Sequence, residues 1–283
     1  MTSQVTLFEM GPRDGLQNEK RQVPTSDKIS LVDRLSACGF SKIEVTSFVS
    51  PKWVPQMADA TEVMQGITRD PKISYAVLTP NMRGFEAAVQ VNASEVAIFA
   101  AASEGFSQAN INCSIAESID RFRPILDAAR LEGIPVRGYV SCVVKCPFDG
   151  DIAPDRVADV AKTMLDLGCY EVSLGDTIGA ATPMTTRAML DAVLSVVPAS
   201  LLAGHFHDTG GRALDNIEVS LDMGIEVFDT AVVGLGGCPY APGAPGNVDT
   251  LAVAQRMADL GIETGIDLDR LNHLGEFAKG LRQ

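Results

Sequence analysis

His205 and His207 are separated by one residue in the stretch Leu202-Ala203-Gly204-His205-Phe206-His207. In an extended strand, side chains two apart share a face. The spacing therefore sets two imidazoles side by side, either as two ligands of a metal ion awaiting a third or as two buried histidines satisfied by hydrogen bonds. Only three histidines occur in the chain. The third, His273, falls in a helical pattern near the end and reads as a surface or packing residue. Gly11-Pro12-Arg13-Asp14-Gly15 offers a carboxylate at Asp14, as a metal ligand or as the Asp-Gly of a turn. Arg13 cannot lose its proton. It suits a developing oxyanion or a carboxylate, or a structural salt bridge with its neighbour. Asn247 offers a neutral oxygen to a cation, or a cap to the helix that follows. Two oxygens and two imidazoles leave octahedral positions open. That mix favours Mg²⁺ or Mn²⁺, with Zn²⁺ disfavoured because no thiolate is an obvious ligand.

Three further groups have chemistry to offer. Cys238 lies between Gly237 and Pro239 in a glycine-rich loop, as a reactive thiol or as an inert small hydrophobe. Glu44 and Asp176 are carboxylates in apolar strands, either paired structurally or tuned as acids and bases. Lys20, Lys52 and Arg83 could meet phosphate without specificity, and Trp53 reads as loop packing.

These residues need elements to bring them together. Eight apolar runs read as strands: residues 5–10, 42–47, 73–79, 95–101, 135–143, 170–175, 201–207 and 225–233. Most are nearly continuous, the pattern of strands buried on both faces of a parallel sheet. Helical signals lie between them. Thr25 is expected to cap a helix that carries Ile29, Val32 and Leu35 and stops at Gly39. Ser114-Ile115-Ala116-Glu117 forms a capping box. Pro154 suits a first turn, and Val157, Val160, Ala161, Met164 and Leu165 follow helical spacing up to Gly168. Thr182-Pro183 opens another helix, and Pro124 inside a helical pattern predicts a kink or early break. Strand and helix alternate eight times in about 250 residues, the sequence form of a (β/α)8 TIM barrel. No G-x-G-x-x-G follows the first strand and no P-loop occurs. With no low-complexity linker, residues 1–283 are expected to form one domain, 267–283 being an additional helix. Active sites of such barrels gather at the C-terminal strand ends, where Arg13, Asp14, Asp176, both histidines, Cys238 and Asn247 all fall.

Composition narrows the partners. The chain has 283 residues, 46% in the hydrophobic group and 21% charged, ordinary usage for a globular protein with a full core. A net charge of −13 argues against nucleic acid or an anionic membrane as a general partner, while local Arg and Lys can still hold an anionic small molecule. No apolar run approaches a membrane span, and the N-terminus lacks the pattern of a secretory signal. Six scattered cysteines without a C-x-x-C pair fit reduced thiols and a cytoplasmic location.

At these residues the chain resembles the hydroxymethylglutaryl-CoA lyases, of a metal-dependent lyase superfamily built on TIM barrels. The stretches that carry the resemblance are GPRDGLQNEK (11–20), IEVTSFVSPKWVPQM (43–57), NINCSIAESIDRF (110–122), RGYVSC (137–142), GCYEVSLGDTIG (168–179), GHFHDTGGRALDN (204–216) and AVVGLGGCPYAPGAPGN (231–247). They run over nearly the whole chain, and their joint occurrence is highly specific. The resemblance implies a metal held by Asp14, His205, His207 and Asn247, with the substrate's hydroxyl and a carbonyl oxygen filling the open positions. It implies that Arg13 stabilises enolate charge, that Cys238 is the catalytic thiol on a mobile loop, and that Glu44 and Asp176 sit close by, Asp176 as a candidate acid/base. Arg13, Gln17 and Ser47 are expected to contact substrate. The implied reaction cleaves 3-hydroxy-3-methylglutaryl-CoA to acetoacetate and acetyl-CoA, as in leucine degradation, in a homo-oligomer expected to be a dimer.

The chain departs from the family pattern in places. Leu251 occupies the position of a usual Glu, with Asp249 two residues earlier. Gly210-Gly211-Arg212 replaces a commoner Tyr-Gly-Gln, Ala231-Val232-Val233-Gly234 replaces Ser-Val-Ala-Gly, and thiol control through a C-terminal Cys is not expected. Three other readings stand beside the lyase. One is a lyase for a longer branched thioester of the same type. Another is a related acyl-CoA condensing synthase, although such enzymes usually carry an extra C-terminal domain without a counterpart here. The last is a metal-binding barrel that serves only as an interaction module.

Overall fold

The computed structural model describes residues 2–238 and 241–282, with side chains outside 237–245. Eight parallel strands close into a barrel: β1 (Thr6–Glu9), β2 (Lys42–Ser47), β3 (Ser74–Leu78), β4 (Glu95–Ala101), β5 (Val136–Ser141), β6 (Glu171–Asp176), β7 (Leu202–Phe206) and β8 (Val227–Thr230). Each neighbours the next in sequence, and β8 returns to β1 with Thr6 opposite Val227. All eight expected strands are present. β2 and β4 match the apolar runs end to end. β8 is shorter than its run because residues 232–234 leave the sheet in a 3₁₀ turn.

Period-two alternation divides the strands between two cores. Outward residues such as Leu7, Ile43, Val77, Ile98, Val140 and Leu174 pack under the surrounding helices. Inside the barrel an apolar cluster of Phe8, Met10, Ala76, Ala97 and Tyr139 shares the space with charged groups. At the N-terminal end, Lys42 Nζ donates to the Tyr170 hydroxyl at 2.6 Å and to Glu95 at 3.2 Å. Deeper in, Arg137 is 1% exposed, pairs with Glu171 at 2.7 Å and Asp229 at 2.8 Å, and stacks 4.5 Å from the Phe8 ring. The two faces of these strands are thus both buried, as expected, but the inner face is ionic rather than aliphatic.

The helices follow local chemistry. Ser114 and Glu117 form the capping box of α5 (Ile115–Glu132), the fifth helix of the chain. That helix passes through Pro124 without a break. Pro124 is on the exposed face, where water can hydrate the carbonyl that loses its partner. Pro154 opens α6 (Pro154–Asp166), whose Val157, Val160, Ala161 and Met164 are buried. In α1 (Thr25–Ser36) the expected cap is displaced: Pro24 is the N-cap, and the Thr25 hydroxyl donates instead to Asp59 at 2.7 Å. α9 (Thr250–Asp259) and α10 (Leu268–Gly280) complete the chain, with Asp267 capping α10 and His273 exposed on it.

One buried carboxyl ties three of these segments. Glu9, at the end of β1, accepts from the backbone N–H of Gly11 at 2.8 Å and of Val232 at 2.9 Å. Its other oxygen is 2.7 Å from the Thr250 hydroxyl, which is 2.9 Å from that of Thr230. Burial pushes the Glu9 carboxyl up to about 7, against the pull of Thr250 and the two amides. Because the folded value lies above the usual 4.5, its stabilising contribution is complete below that value and is lost as pH rises through about 7. Glu9→Gln, which imitates the protonated acid, is expected to match the wild type near pH 5 and exceed it near pH 8.5. A carboxyl raised from 4.5 to about 7 allows at most about 3 kcal/mol, and urea denaturation at the two pH values reads the difference. Identical midpoints at the higher pH would count against a neutral Glu9.

Candidate metal centre

Gly11–Gly15 forms a single π-helical turn directly after β1, with Pro12 in its first positions and Gly15 N bonded back to Met10 O at 3.1 Å. This turn carries Arg13 and Asp14 over the barrel's C-terminal end. It packs against the segment that follows β8 so closely that a Cβ on Gly15 would lie 2.6 Å from Cβ of Leu235. Gly236, at φ +96°, would bring a Cβ within 3.0 Å of the Asn247 amide nitrogen. Only glycine permits both approaches.

The chain then returns to β7. Val248 N donates to Phe206 O at 3.1 Å and Asp208 N to Gly246 O at 2.7 Å, so His207 and Asn247 face each other across one antiparallel bridge. The rings of His205 and His207 stand 5.4 Å apart, on one face as the spacing predicted. One possible ligand atom from each of Asp14, His205 and His207 falls within 4.8 Å of the others. The Asn247 amide nitrogen donates to Asp14 Oδ2 at 2.8 Å and to Leu235 O at 3.2 Å. Its oxygen, Oδ1, is buried without a hydrogen-bond partner among the described residues, as is Nδ1 of His207. Unsatisfied buried polar atoms are costly and rare. Two of them beside a carboxylate and a second imidazole are what a divalent cation would satisfy. The residues fit such an ion.

Charges in the site are set by neighbours. The Asp14 carboxyl resists the upward push of burial, because Arg13 and the two histidines hold it at about 2. Burial, aided by His205, brings His207 down to about 4, which keeps a lone pair free at neutral pH. His205 moves upward: burial opposes the shift, but the hydrogen bond and charge of Asp229 outweigh it. Arg13 donates through Nε to Glu44 and through Nη1 to Asp14. Burial would weaken its hold on the proton, but the two carboxylates raise it. Burial raises Glu44, more than Arg13 lowers it. Tyr139 donates to Glu44 at 3.1 Å, and Arg13 lies 5.5 Å from its ring centre.

Above these groups opens a cleft of about 780 Å³. Arg13, Asp14, Gln17, Ser47, His205 and His207 line it, so six of the expected residues converge. Gln17 also donates to Asp14 at 2.9 Å. Glu44 lies beneath Arg13 and is fully buried. Asp176 is placed differently: both oxygens accept backbone amides, from Ala180 at 3.0 Å and Ala181 at 2.8 Å, and it is not among the residues that line the cleft. Asp249, the acidic neighbour of Leu251, caps α9 instead of facing the site. Cys238 pairs through its backbone in a short hairpin with Ala241, and its side chain lies outside the described residues. Trp53, expected to pack in its loop, is 84% exposed at the rim of the cleft. Lys20, Lys52 and Arg83 are exposed and do not line it. Sequence reasoning gave no role to Tyr139, Arg137 or Asp229. The available signal was a polar residue at every second position of an apolar strand, as at Arg137, Tyr139 and Ser141.

The family model described as HMGL-like matches residues 4–278. The 3-hydroxy-3-isohexenylglutaryl-CoA/hydroxy-methylglutaryl-CoA lyase of Pseudomonas aeruginosa is 57% identical over 276 residues, 98% of this chain and 92% of the relative. Among solved structures, the HMG-CoA lyase from Brucella melitensis is 62% identical with a TM-score of 0.99, covering 100% of both chains. An HMG-CoA lyase from Acinetobacter baumannii, solved in complex with coenzyme A and 3-methylmalate, is 39% identical with a TM-score of 0.94, over 99% of this chain and 92% of that one. Removal of one imidazole tests the centre: His207→Ala is expected to weaken Mn²⁺ affinity more than about tenfold, read by titration followed by electron paramagnetic resonance.

Proposed function

Because this chain belongs to the HMGL-like family, we propose that it is a carbon–carbon lyase that cleaves 3-hydroxy-3-methylglutaryl-CoA to acetoacetate and acetyl-CoA. The observation that carries this reading is the meeting of Asp14, His205, His207 and Asn247 at one end of the barrel, with Arg13 beside them. Mg²⁺ or Mn²⁺ is the cation we assign, since the donors are two oxygens and two imidazoles. Bound there, it supplies Lewis acidity toward the substrate's hydroxyl and carbonyl oxygens.

In the reaction the tertiary hydroxyl loses its proton and the adjacent carbon–carbon bond breaks. The bonding pair passes to the α-carbon of the departing thioester, giving an enolate, and a proton is then delivered to that carbon. Arg13 is held in place by Glu44 and Asp14 and cannot deprotonate, so it presents a fixed cation where enolate charge develops. Glu44 orients it from below, and Tyr139 in turn holds Glu44. Gln17 positions Asp14 and, with Ser47, borders the substrate cleft. We assign the proton delivery to Cys238, on the hairpin beyond Gly236. Asp176, with both oxygens bonded to backbone, would act through the loop it caps. Leu78, Phe99, Phe106 and Phe122 form an apolar wall. That wall, with the relative named for an isohexenylglutaryl thioester, supports a second reading in which a longer branched thioester is also cleaved. We place the enzyme in the cytoplasm, one domain per chain and two chains per molecule. The five buried free cysteines among the described residues suit a reducing compartment.

Purified protein is expected to release acetoacetate from 3-hydroxy-3-methylglutaryl-CoA, to lose this with EDTA and to regain it with added Mg²⁺ or Mn²⁺. Activity indifferent to chelation would remove the metal from the mechanism, and turnover of only a longer-chain thioester would favour the second reading. Cys238→Ala is expected to bind Mn²⁺ normally yet lose turnover, which excludes a barrel that merely binds metal. Arg13→Met should lower kcat by about 100- to 1000-fold, the usual cost of removing one oxyanion partner.

A further inference from the structure

His205 is bonded on the side away from the ligand cluster. Its Nδ1 lies 3.1 Å from Asp229 Oδ2. The same oxygen accepts from the Ser173 hydroxyl at 2.7 Å, and Oδ1 lies 2.8 Å from Nη2 of Arg137. Asp229 and Arg137 are each 1% exposed. A carboxylate compressed between a guanidinium and a hydroxyl is ionised and can only accept. The proton in its bond with His205 must then sit on Nδ1. An imidazole protonated there keeps its lone pair on Nε2, the atom 4.0 Å from Asp14 Oδ2. Among the described residues no such partner holds the other imidazole, whose Nδ1 is without a hydrogen bond.

We propose that Asp229 and Arg137 are positioning residues of the metal centre: Asp229, anchored by Arg137 and Ser173, fixes the tautomer and ring plane of His205 so that Nε2 faces the cation. The inference rests on the metal reading above and adds to it the residues that make one ligand competent in advance. A histidine free to exchange tautomers would offer Nε2 only part of the time and would lose ring freedom on binding. Carboxylates behind ligand histidines remove both losses. Arg137 has a second connection. Its Nη1 donates to the Tyr139 hydroxyl at 3.1 Å, and Tyr139 donates to Glu44, the partner of Arg13. One guanidinium below the cleft therefore backs a metal ligand on one side and the enolate-facing arginine on the other.

Two measurements test this. In metal-free wild-type protein labelled with ¹⁵N-histidine, at a pH high enough that the His205 ring is neutral, long-range nitrogen–proton correlation should show it protonated on Nδ1 and not on Nε2. Mn²⁺ titration should show Asp229→Ala and Asp229→Asn weakened by about 10- to 100-fold, with cooperative thermal melting retained and His205 signals shifted toward the other tautomer. Asp229→Asn is close to isosteric, so it guards against a loss that reflects only a cavity. A neutral wild-type His205 protonated on Nε2 in place of Nδ1 overturns the proposal without any variant. So does a folded Asp229→Ala that binds Mn²⁺ within about twofold of wild type. A wild type that fails to bind Mn²⁺ removes the metal centre itself and this role with it, an outcome separate from equal binding by both proteins.

Discussion

A guanidinium with no access to water sits in the middle of this barrel, and the arrangement of charge around it follows from that fact. Arg137 keeps its charge at any ordinary pH, so it must be met by carboxylates close enough to offset its lost hydration. Glu171 and Asp229 do so directly, from the two strands that flank β7. Its planar face lies against Phe8, and the small residue Ala97 stands beside it in register on β4. Asp229, having been fixed by Arg137, fixes His205; Tyr139 transmits the same constraint to Glu44 and Arg13. The floor of the active site is thus part of the barrel's electrostatic core, whereas its walls are separate segments laid over it.

Those segments are anchored mainly by backbone. The π-helical turn that bears Asp14 hangs from Met10 and Glu9, and the strand-like return through Asn247 is stitched to the end of β7. Each ligand therefore comes from a piece of chain whose path is set by amide hydrogen bonds. Glycines 15 and 236 allow the two pieces to touch. The hairpin that carries Cys238 extends beyond this stitched base. With Asp14, His205, His207 and Asn247 fixed in this way beside Arg13, and Cys238 on a glycine-flanked segment, the arrangement suits the proposed reaction, in which orientation comes first and proton delivery last.

Much of this was legible in the sequence. Apolar runs separated by caps and breakers identify eight strands because burial on the outer face demands them. The His-x-His spacing places two imidazoles on one face for purely geometric reasons. Other features could not be read. Whether Arg137 or Asp229 points into the barrel or toward the helices depends on register, and a single polar residue in an apolar run does not disclose its partner. Pro124 suggests a break only if its missing bond matters, and on a solvated face it matters little. Thr25 finds a better acceptor in Asp59, a residue 34 positions away, than in its own helix. For Asp176 the sequence leaves a structural partner and an acid/base role both open, until the two amides of Ala180 and Ala181 take its oxygens. Trp53 looks like loop packing until the cleft beneath it is known.

The ionic interior bears on how such a barrel can change over generations. An aliphatic core tolerates one exchange at a time when volume is conserved, since such a swap usually costs less than about 1.5 kcal/mol. Here the loss of any one member strands a partner: without Arg137 two carboxylates are left uncompensated, and without Glu171 or Asp229 the guanidinium is under-neutralised. Neutral drift through single substitutions is therefore closed to this set. Substitutions in the cleft wall and rim, around Phe99, Phe106 and Trp53, strand no charge, so the shape offered to an acyl group can change there while the charged floor stays paired.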